Sequence, residues 1–250
     1  MSPSPALIVK HLTKKYKLGE IKEESFKKIL GYWLGFEKRQ KKETTEFYAL
    51  NNISFQLNQG EVLGIVGHNG AGKSTLLKIL SRITEPTSGE AYVYGRVGTL
   101  LEIGTGFHPD LTGYENIFLN GSILGMKTPE INRYLEEIIK FSGIEKFIYT
   151  PVKYYSSGMR IRLAFSVAAH LQADIIFLDE VWGAGDQEFS QKSIAKMKNI
   201  VKSGRTFIII SHDLNIIEEL CSRCLWMDQG QIKSDGKTAE ILSQYKHSLK

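Results

Sequence analysis

The sequence has few cysteines, no long apolar run and little excess charge, and each shortage excludes a class of protein. Its two cysteines, Cys221 and Cys224, are too few for a disulfide framework. Their C-x-x-C spacing also occurs in redox and zinc sites, but no second Cys/His pair lies nearby, so we interpret them as small buried side chains. No stretch reaches the roughly 18 apolar residues that cross a bilayer, which predicts a chain soluble by itself. The net charge of +5 is weak for nucleic-acid binding.

The chain is long and apolar enough for one domain with a full-sized core, since 42% of its 250 residues are hydrophobic. Short apolar runs at 61–66, 175–178 and 206–210 are typical of buried parallel strands. Between 112 and 172 the apolar residues instead recur every three or four positions, which indicates helices. Strands that alternate with helices predict an α/β fold with a mainly parallel sheet, into which a helical subdomain is inserted.

Residues 67–74 form a glycine-rich loop between a predicted strand and a predicted helix at 73–80. Glycines at 67, 70 and 72 let backbone N–H groups converge on a triphosphate, and the helix adds its N-terminal dipole. Lys73 can reach the β- and γ-phosphates, and the Ser74 hydroxyl can bind Mg²⁺. This P-loop predicts an ATP and Mg²⁺ site made by Gly67, His68, Asn69, Gly70, Ala71, Gly72, Lys73, Ser74 and Thr75.

Two acids, Asp179 and Glu180, follow the apolar run at 175–178. A carboxylate at a strand tip beside the P-loop is the expected second protein contact of Mg²⁺, which fits Asp179. Glu180 would then face the γ-phosphate and orient or deprotonate the attacking water. Taken alone, the pair also fits a strand that ends in a solvated acidic turn. Beside a P-loop, it predicts an ATPase.

Residues 155–159 read Tyr-Ser-Ser-Gly-Met and precede a predicted helix. Together with Asp179-Glu180, Asp186 and the run at 211–213, they resemble the nucleotide-binding subunits of ABC transporters, in the family's order along nearly the whole chain. The resemblance implies a single P-loop NTPase domain of ABC ATPase type over 1–250, with an N-terminal antiparallel β subdomain. Within it we expect a helical signature subdomain at 108–172, and at 173–250 the rest of the core sheet with a closing hairpin and helix.

The resemblance also implies a second copy of the chain. Tyr155, Ser156, Ser157, Gly158 and Met159 match the family's signature, which binds the γ-phosphate of an ATP held by the opposite subunit. Small hydroxyl residues and a glycine before a helix do form an anion site. The implied assembly is a head-to-tail dimer with two ATP molecules between the subunits.

Further roles follow from the same resemblance. His212 matches the switch histidine, which contacts the γ-phosphate, and Asp186 matches the aspartate of the loop that joins the two ATP sites. Tyr16 lies at the place of the aromatic residue that stacks on adenine, with Tyr48 as a weaker candidate. Glu102 stands where the family usually has the glutamine that links Mg²⁺ to the membrane partner.

Three runs, 100–109, 111–117 and 155–168, are similar to bacterial exporters of lipid-linked polysaccharides such as O-antigen, teichoic acid and capsular glycans. This implies a transport ATPase at the cytoplasmic face of the inner membrane that drives a separate integral membrane permease. The alternatives are an ABC exporter subunit for another substrate, or a soluble ABC ATPase that acts on nucleic acid or ribosomes. The last class usually has two cassettes or a long coiled coil, which this sequence lacks, so we predict no nucleic-acid partner.

A basic amphipathic insertion at 18–46 separates the first two predicted strands. Its apolar residues share one helix face: Phe26, Ile29, Leu30, Trp33 and Leu34. Its basic residues lie elsewhere, which suits a membrane interface with anionic headgroups. The hypothesis is a contact with the lipid-linked glycan near residues 24–40. The alternative is a surface helix that packs its apolar side on its own domain.

Overall fold

The computed structural model describes residues 4–18, 45–100, 106–179 and 186–249. The strands are β1 (Pro5–Leu18), β2 (Thr45–Asn58), β3 (Val62–Val66), β4 (Ser88–Val93), β5 (Val97–Leu100), β6 (Ile175–Asp179), β7 (Thr206–Ile210), β8 (Arg223–Asp228) and β9 (Gln231–Lys237). The α-helices are α1 (Lys73–Leu80), α2 (Gly113–Ile123), α3 (Thr128–Ser142), α4 (Ser157–Ala168), α5 (Gln187–Val201), α6 (Leu214–Leu220) and α7 (Thr238–Ser248). Among the described helices, none combines the length and apolar character that a membrane span needs.

The core sheet has the strand order β5-β6-β7-β3-β8-β9. Its first five strands run parallel, and β9 pairs antiparallel with β8. All five residues of β7 are buried, as expected for an apolar strand with helices on both faces. The predicted mainly parallel core is confirmed. Because the strands are parallel, the segments that follow β3, β7 and β6 meet at one edge of the sheet.

A second sheet, in the order β2-β1-β4, is antiparallel. On β2 the side chains of Ile53, Phe55 and Leu57 are buried and alternate with exposed ones, as the sequence pattern predicts. The β1–β2 pairing continues to Leu18 opposite Thr45, so residues 18, 45 and 46 of the predicted insertion belong to strands. Residues 19–44 lie outside the described part of the chain.

From the sequence, residues 91–97 are predicted as one short strand, and this prediction is wrong. The structure ends β4 at Val93 in the antiparallel sheet and begins β5 at Val97 in the core sheet. Between them Gly95 has φ 125°, and the Asp174 carboxylate accepts a hydrogen bond of 2.7 Å from the Arg96 amide. A short apolar run therefore crosses from one sheet to the other.

Helices α2, α3 and α4 pack against one another. α2 begins with a capping box in which Thr112 and Glu115 satisfy each other's backbone N–H groups. α3 buries Ile131 and Ile138 and ends at Gly143, whose φ of 66° suits a glycine cap. The sequence periodicity thus identified this helical region, while its exact bounds, 108–172, remain a prediction.

His170 follows α4, and its buried imidazole lies between residues of α3 and α5. Its Nδ1 lies 2.7 Å from the Ser166 carbonyl, and its Nε2 lies 3.5 Å from Lys196 Nζ and 3.6 Å from a Glu137 carboxylate oxygen. Burial lowers the pKa of His170 below its ordinary value, and the nearby Lys196 charge acts in the same direction. The folded chain therefore favours the neutral form of this imidazole.

We expect acid to destabilise the protein partly through His170. The unfolded chain takes up this proton near the ordinary histidine pKa of about 6.5 whereas the folded chain resists it, so this stability is present above that pH and lost as pH falls below it. His170→Gln should show a smaller loss of melting temperature between about pH 7.5 and pH 5.5 than the parent. The control is His247→Gln, at an exposed position on α7. An unchanged pH dependence in His170→Gln would refute the assignment.

Candidate functional site

The P-loop follows β3 and packs closely against the backbone of β2 and β8. At Gly72, where φ is 100°, an added Cβ would lie 2.4 Å from the Ala49 carbonyl oxygen. At Gly67, a Cβ would lie 2.2 Å from the Met227 carbonyl oxygen. Both positions therefore require glycine for close backbone approach, in addition to any role in phosphate binding.

Lys73 and Ser74, the first residues of α1, point toward one end of the core sheet. The Lys73 ammonium is buried and donates hydrogen bonds to the carbonyls of Gly67, at 2.6 Å, and His68, at 3.0 Å. The Ser74 hydroxyl donates to Asp179 Oδ2 at 3.2 Å. Residues 105 positions apart thus meet because β3 and β6 end at the same edge of the sheet.

A cavity of about 600 Å³ opens at this edge. It brings together the P-loop, the end of β6, the segment after β7 and the far end of the β1–β2 pair. Its lining residues are Tyr16, Phe47, Ala49, Asn69, Gly70, Ala71, Gly72, Lys73, Ser74, Thr75, Asp179 and His212. Gly67 and His68 are not among the lining residues, but they supply carbonyls that hold Lys73.

The Ser74 and Asp179 oxygens have a suitable separation for Mg²⁺. Neighbouring ligands of an octahedral Mg²⁺ lie about 3 Å apart, because each metal–oxygen distance is about 2.1 Å. The observed 3.2 Å agrees with this value. Within the described ranges, no three His, Cys, Asp or Glu side chains cluster closely enough to hold a metal by themselves. A bound Mg²⁺ would therefore take its other ligands from phosphate and water.

The signature segment lies at the start of α4, apart from the cavity. Ser156 caps the helix and accepts a hydrogen bond of 3.1 Å from the Met159 amide. Ser156 and Ser157 are exposed, and Gly158 is half-buried. Tyr155, by contrast, is buried, and its hydroxyl donates to the Phe147 carbonyl at 2.7 Å. None of residues 155–159 lines the P-loop cavity.

Asp186 begins α5 and connects it to the signature helix. Its carboxylate accepts a hydrogen bond of 3.0 Å from the Phe189 amide and forms an ion pair with Arg162 of α4. The Arg162 guanidinium also lies over the Phe189 ring, 5.4 Å from its centroid. Asp186 does not line the cavity. An ion pair thus links α4, the helix that carries the signature, to Asp186.

Comparison with known proteins assigns this arrangement to a family, since the family model for ABC transporters matches residues 50–182. The chain belongs to the ABC transporter family. The match includes the P-loop, the signature segment and the acids at the end of β6.

Relatives of the cassette include export proteins. The O-antigen export system ATP-binding protein RfbB of Myxococcus xanthus is 42% identical over 98% of this chain and 56% of its own length. The teichoic acids export ATP-binding protein TagH of Bacillus anthracis is 40% identical over 96% and 42%. RfbB of Klebsiella pneumoniae is 36% identical over 98% and 99%. The cassette thus spans about half the length of the first two relatives and nearly all of the third. The resemblance to the polysaccharide exporter group is confirmed.

Solved structures have the same fold. A dimeric ATP-binding cassette in a post-hydrolysis state, bound to ADP and Pi, aligns with a TM-score of 0.69 at 24% identity over 93% of this chain and 98% of its own. The structure of the ATP-binding subunit of an ABC transporter aligns with a TM-score of 0.72 at 20% identity over 96% and 93%. The predicted ABC ATPase fold is confirmed.

Phe47 is a cavity residue that the sequence analysis missed. It is the cross-strand partner of Tyr16, and both line the cavity. Tyr48, the weaker candidate for adenine stacking, is not among the lining residues; Lys15 Nζ lies 4.7 Å from the centroid of its ring. The pairing of Tyr16 with Phe47 would have identified Phe47 as a cavity residue. The long insertion between β1 and β2 prevents this pairing from being predicted from the sequence.

The two cysteines are buried and form no disulfide. Burial raises the pKa of Cys224 to about 12 and raises the pKa of Cys221 as well. At neutral pH both are thiols rather than the thiolates that bind metals and exchange disulfides. The interpretation as small buried side chains is confirmed.

Three predictions fall on residues outside the described part of the chain. These are the general base Glu180, the glutamine substitute Glu102 and the contact of residues 24–40 with the glycan. Each stays a prediction. Glu180 directly follows Asp179, the last residue of β6, whose side chain reaches Ser74.

Proposed function

We propose that this chain is the ATP-binding and ATP-hydrolysing subunit that powers export of a lipid-linked polysaccharide through a separate permease. The glycan would be O-antigen, teichoic acid or a similar polymer, and the membrane would be the cytoplasmic membrane. The observation that carries the ATPase proposal is the cavity where the P-loop, the Ser74–Asp179 pair and His212 meet. The names of the export relatives support the substrate class.

In this proposal the cavity binds the triphosphate at the start of α1. Backbone N–H groups of the P-loop and the helix dipole favour the negative charge. Lys73 exchanges its contacts with the two loop carbonyls for phosphate oxygens and neutralises charge there. Ser74 and Asp179 would hold Mg²⁺, which supplies further neutralisation of the phosphate charge. Tyr16 stacks on the adenine at the far end of the cavity.

Hydrolysis needs a water molecule held in line with the γ-phosphate. Glu180 is the proposed general base, since it follows Asp179 at the end of β6 and a carboxylate there would face the γ-phosphate. His212 follows β7, the strand between β6 and β3, and lines the same cavity. We assign to His212 the contact that keeps the γ-phosphate and the water aligned.

A second copy of the chain completes the site in this account. The N-terminus of α4 offers an anion site, with exposed Ser156 and Ser157 and the helix dipole, but it does not face its own cavity. A head-to-tail dimer would bring this segment of one copy to the ATP of the other. Asp186, joined to Arg162 of the signature helix, would lie where the two ATP sites communicate.

The permease and the membrane are the remaining partners. We place the chain at the cytoplasmic face of the inner membrane, bound through an integral membrane permease. The insertion would meet the lipid-linked glycan near residues 24–40. It leaves β1 after Leu18 and returns at Thr45, close in sequence to Tyr16 and Phe47.

Depletion of the chain in its own cells tests this proposal. We expect surface polysaccharide to fall and the lipid-linked glycan to accumulate inside the cell, with both effects reversed by the intact chain. A variant whose residues 24–40 are replaced by a Gly/Ser linker of equal length should keep its ATPase activity after purification but fail to restore export.

The outcomes separate the two parts of the proposal. Normal surface polysaccharide after depletion contradicts a role in polysaccharide export. Full restoration of export by the linker variant contradicts only the glycan contact of residues 24–40, and leaves the role in export standing. It favours the alternative of a helix that packs on its own domain.

A further inference from the structure

α7, the last described helix, packs the side chain of Tyr245 against His68 of the P-loop. The Tyr245 ring meets the His68 ring edge-on, with 5.8 Å between centroids. It also meets the Trp226 ring of β8 edge-on, with 5.7 Å between centroids. Tyr245 is only 8% exposed and Trp226 is also buried, whereas His68 is an exposed residue that Tyr245 contacts from below the surface. The P-loop, β8 and α7 are thus joined through three rings.

The backbone of His68 connects this contact to the chemistry. Its carbonyl accepts hydrogen bonds from the Ala71 amide, at 3.1 Å, and from Lys73 Nζ, at 3.0 Å. The neighbouring Gly67 carbonyl accepts the second Lys73 bond, and Gly67 is itself pressed against Met227 of β8. The residue that touches Tyr245 therefore carries one of the two carbonyls that position the phosphate-binding lysine.

Two backbone hydrogen bonds of Gly230 also hold the segment around the P-loop. The Gly230 amide donates to the Ala71 carbonyl at 3.1 Å, and the Gly230 carbonyl accepts from the Asn51 amide at 2.8 Å. These bonds do not depend on any side chain of α7. The Tyr245–His68 contact can therefore be removed without disturbing them.

We propose that Tyr245 is a positioning residue for nucleotide binding. It orients the P-loop through the His68 ring and so keeps the Gly67 and His68 carbonyls in place to hold Lys73. This inference rests on the proposed ATP-binding function. Without the ring contact the His68 peptide has more freedom, and ATP binding must order it. That cost weakens binding but does not touch the reacting atoms. The packing of α7 thereby contributes to nucleotide affinity.

If Tyr245 served only to pack α7, other substitutions that weaken the packing of α7 would reduce ATP affinity as well. α7 also packs through Ile241 and Leu242, which are buried in the same core. Ile241 lies against β9, where its Cδ1 is 3.5 Å from the Cβ position of Gly236. Ile241→Ala therefore weakens the packing of α7 without removing the contact on His68. It is the matched control for Tyr245→Ala.

The test measures the dissociation constant of Mg-ATP, kcat, KM and the melting temperature of purified full-length variants. For Tyr245→Ala we expect Kd and KM to rise about 3- to 10-fold, the range that an aromatic pair contributes, with kcat nearly unchanged. Tyr245→Phe, which keeps the ring, should retain the parent's Kd. Ile241→Ala should lower the melting temperature but not raise Kd. If Tyr245→Ala does not fold, Tyr245→Leu replaces it.

A double-mutant cycle tests the route through His68. His68→Ala should raise Kd as Tyr245→Ala does, and the double variant should be no weaker than the weaker single variant. The proposal is overturned if the two effects multiply, or if Ile241→Ala raises Kd as much as Tyr245→Ala. A parent chain that binds no ATP would instead refute the proposed function. The two failures are therefore distinguishable.

Discussion

Glu180→Gln is expected to lower ATP turnover at least about 100-fold, because a general base contributes about 100- to 10,000-fold to such reactions. Binding of Mg-ATP should persist, since the amide keeps the shape of the side chain and the phosphate contacts assigned to Lys73 and Ser74 are unchanged. With ATP bound but not cleaved, the head-to-tail dimer should accumulate. Steady-state phosphate release and the mass of the chain in solution with ATP measure the two effects.

Glu188→Gln is the matched control for Glu180→Gln. Glu188 lies in the first turn of α5, is exposed, and does not line the cavity. It should keep the parent's turnover. Parent-like turnover in Glu180→Gln would show that the general base is another residue, and a loss of ATP binding would show that the variant damages the site.

Lys73→Ala should weaken Mg-ATP binding by at least about 30-fold, because removal of one partner from a buried charge pair costs at least about 2 kcal/mol. The ammonium is held by the Gly67 and His68 carbonyls, so it is already placed at the proposed phosphate site. The truncation therefore removes an organised contact rather than a mobile one.

Lys78→Ala controls for the loss of a positive charge on α1. Lys78 is exposed in the last turn of the same helix. Its removal should leave the Kd of Mg-ATP unchanged, as measured by calorimetry. Equal affinity losses in the two variants would mean that Lys73 acts only through net charge, which contradicts a direct phosphate contact.

Local chemistry explains which parts of the fold and site were predictable. The P-loop could be identified because its glycines, Lys73 and Ser74 are adjacent in sequence and each has a separate physical requirement. The buried strands β6 and β7 were visible as short apolar runs. The meeting of Ser74 with Asp179 followed from the rule that parallel strands present their C-terminal ends together.

Long-range packing explains the rest. Phe47 lines the cavity because of a strand register, and Tyr245 reaches His68 because α7 folds back on the P-loop. Neither contact has a local sequence pattern. Tyr155 belongs to the signature by position, yet its side chain packs in the helical region, so the signature prediction now depends on the exposed residues after it.

In the proposed dimer, each ATP site is shared between two copies of the chain. Mixing two inactive variants tests it: Lys73→Ala disables the P-loop, and Ser157→Glu places a negative charge where the γ-phosphate of the opposite ATP would bind. Ser157→Glu should fold, because Ser156 still caps α4 and an acid suits the first turn of a helix.

Each variant alone should have almost no ATPase activity. In a mixed dimer one of the two sites combines an intact P-loop with an intact signature, so an equal mixture should recover about a quarter of the parent's activity per chain. A mixture as inactive as its two components would contradict the shared site.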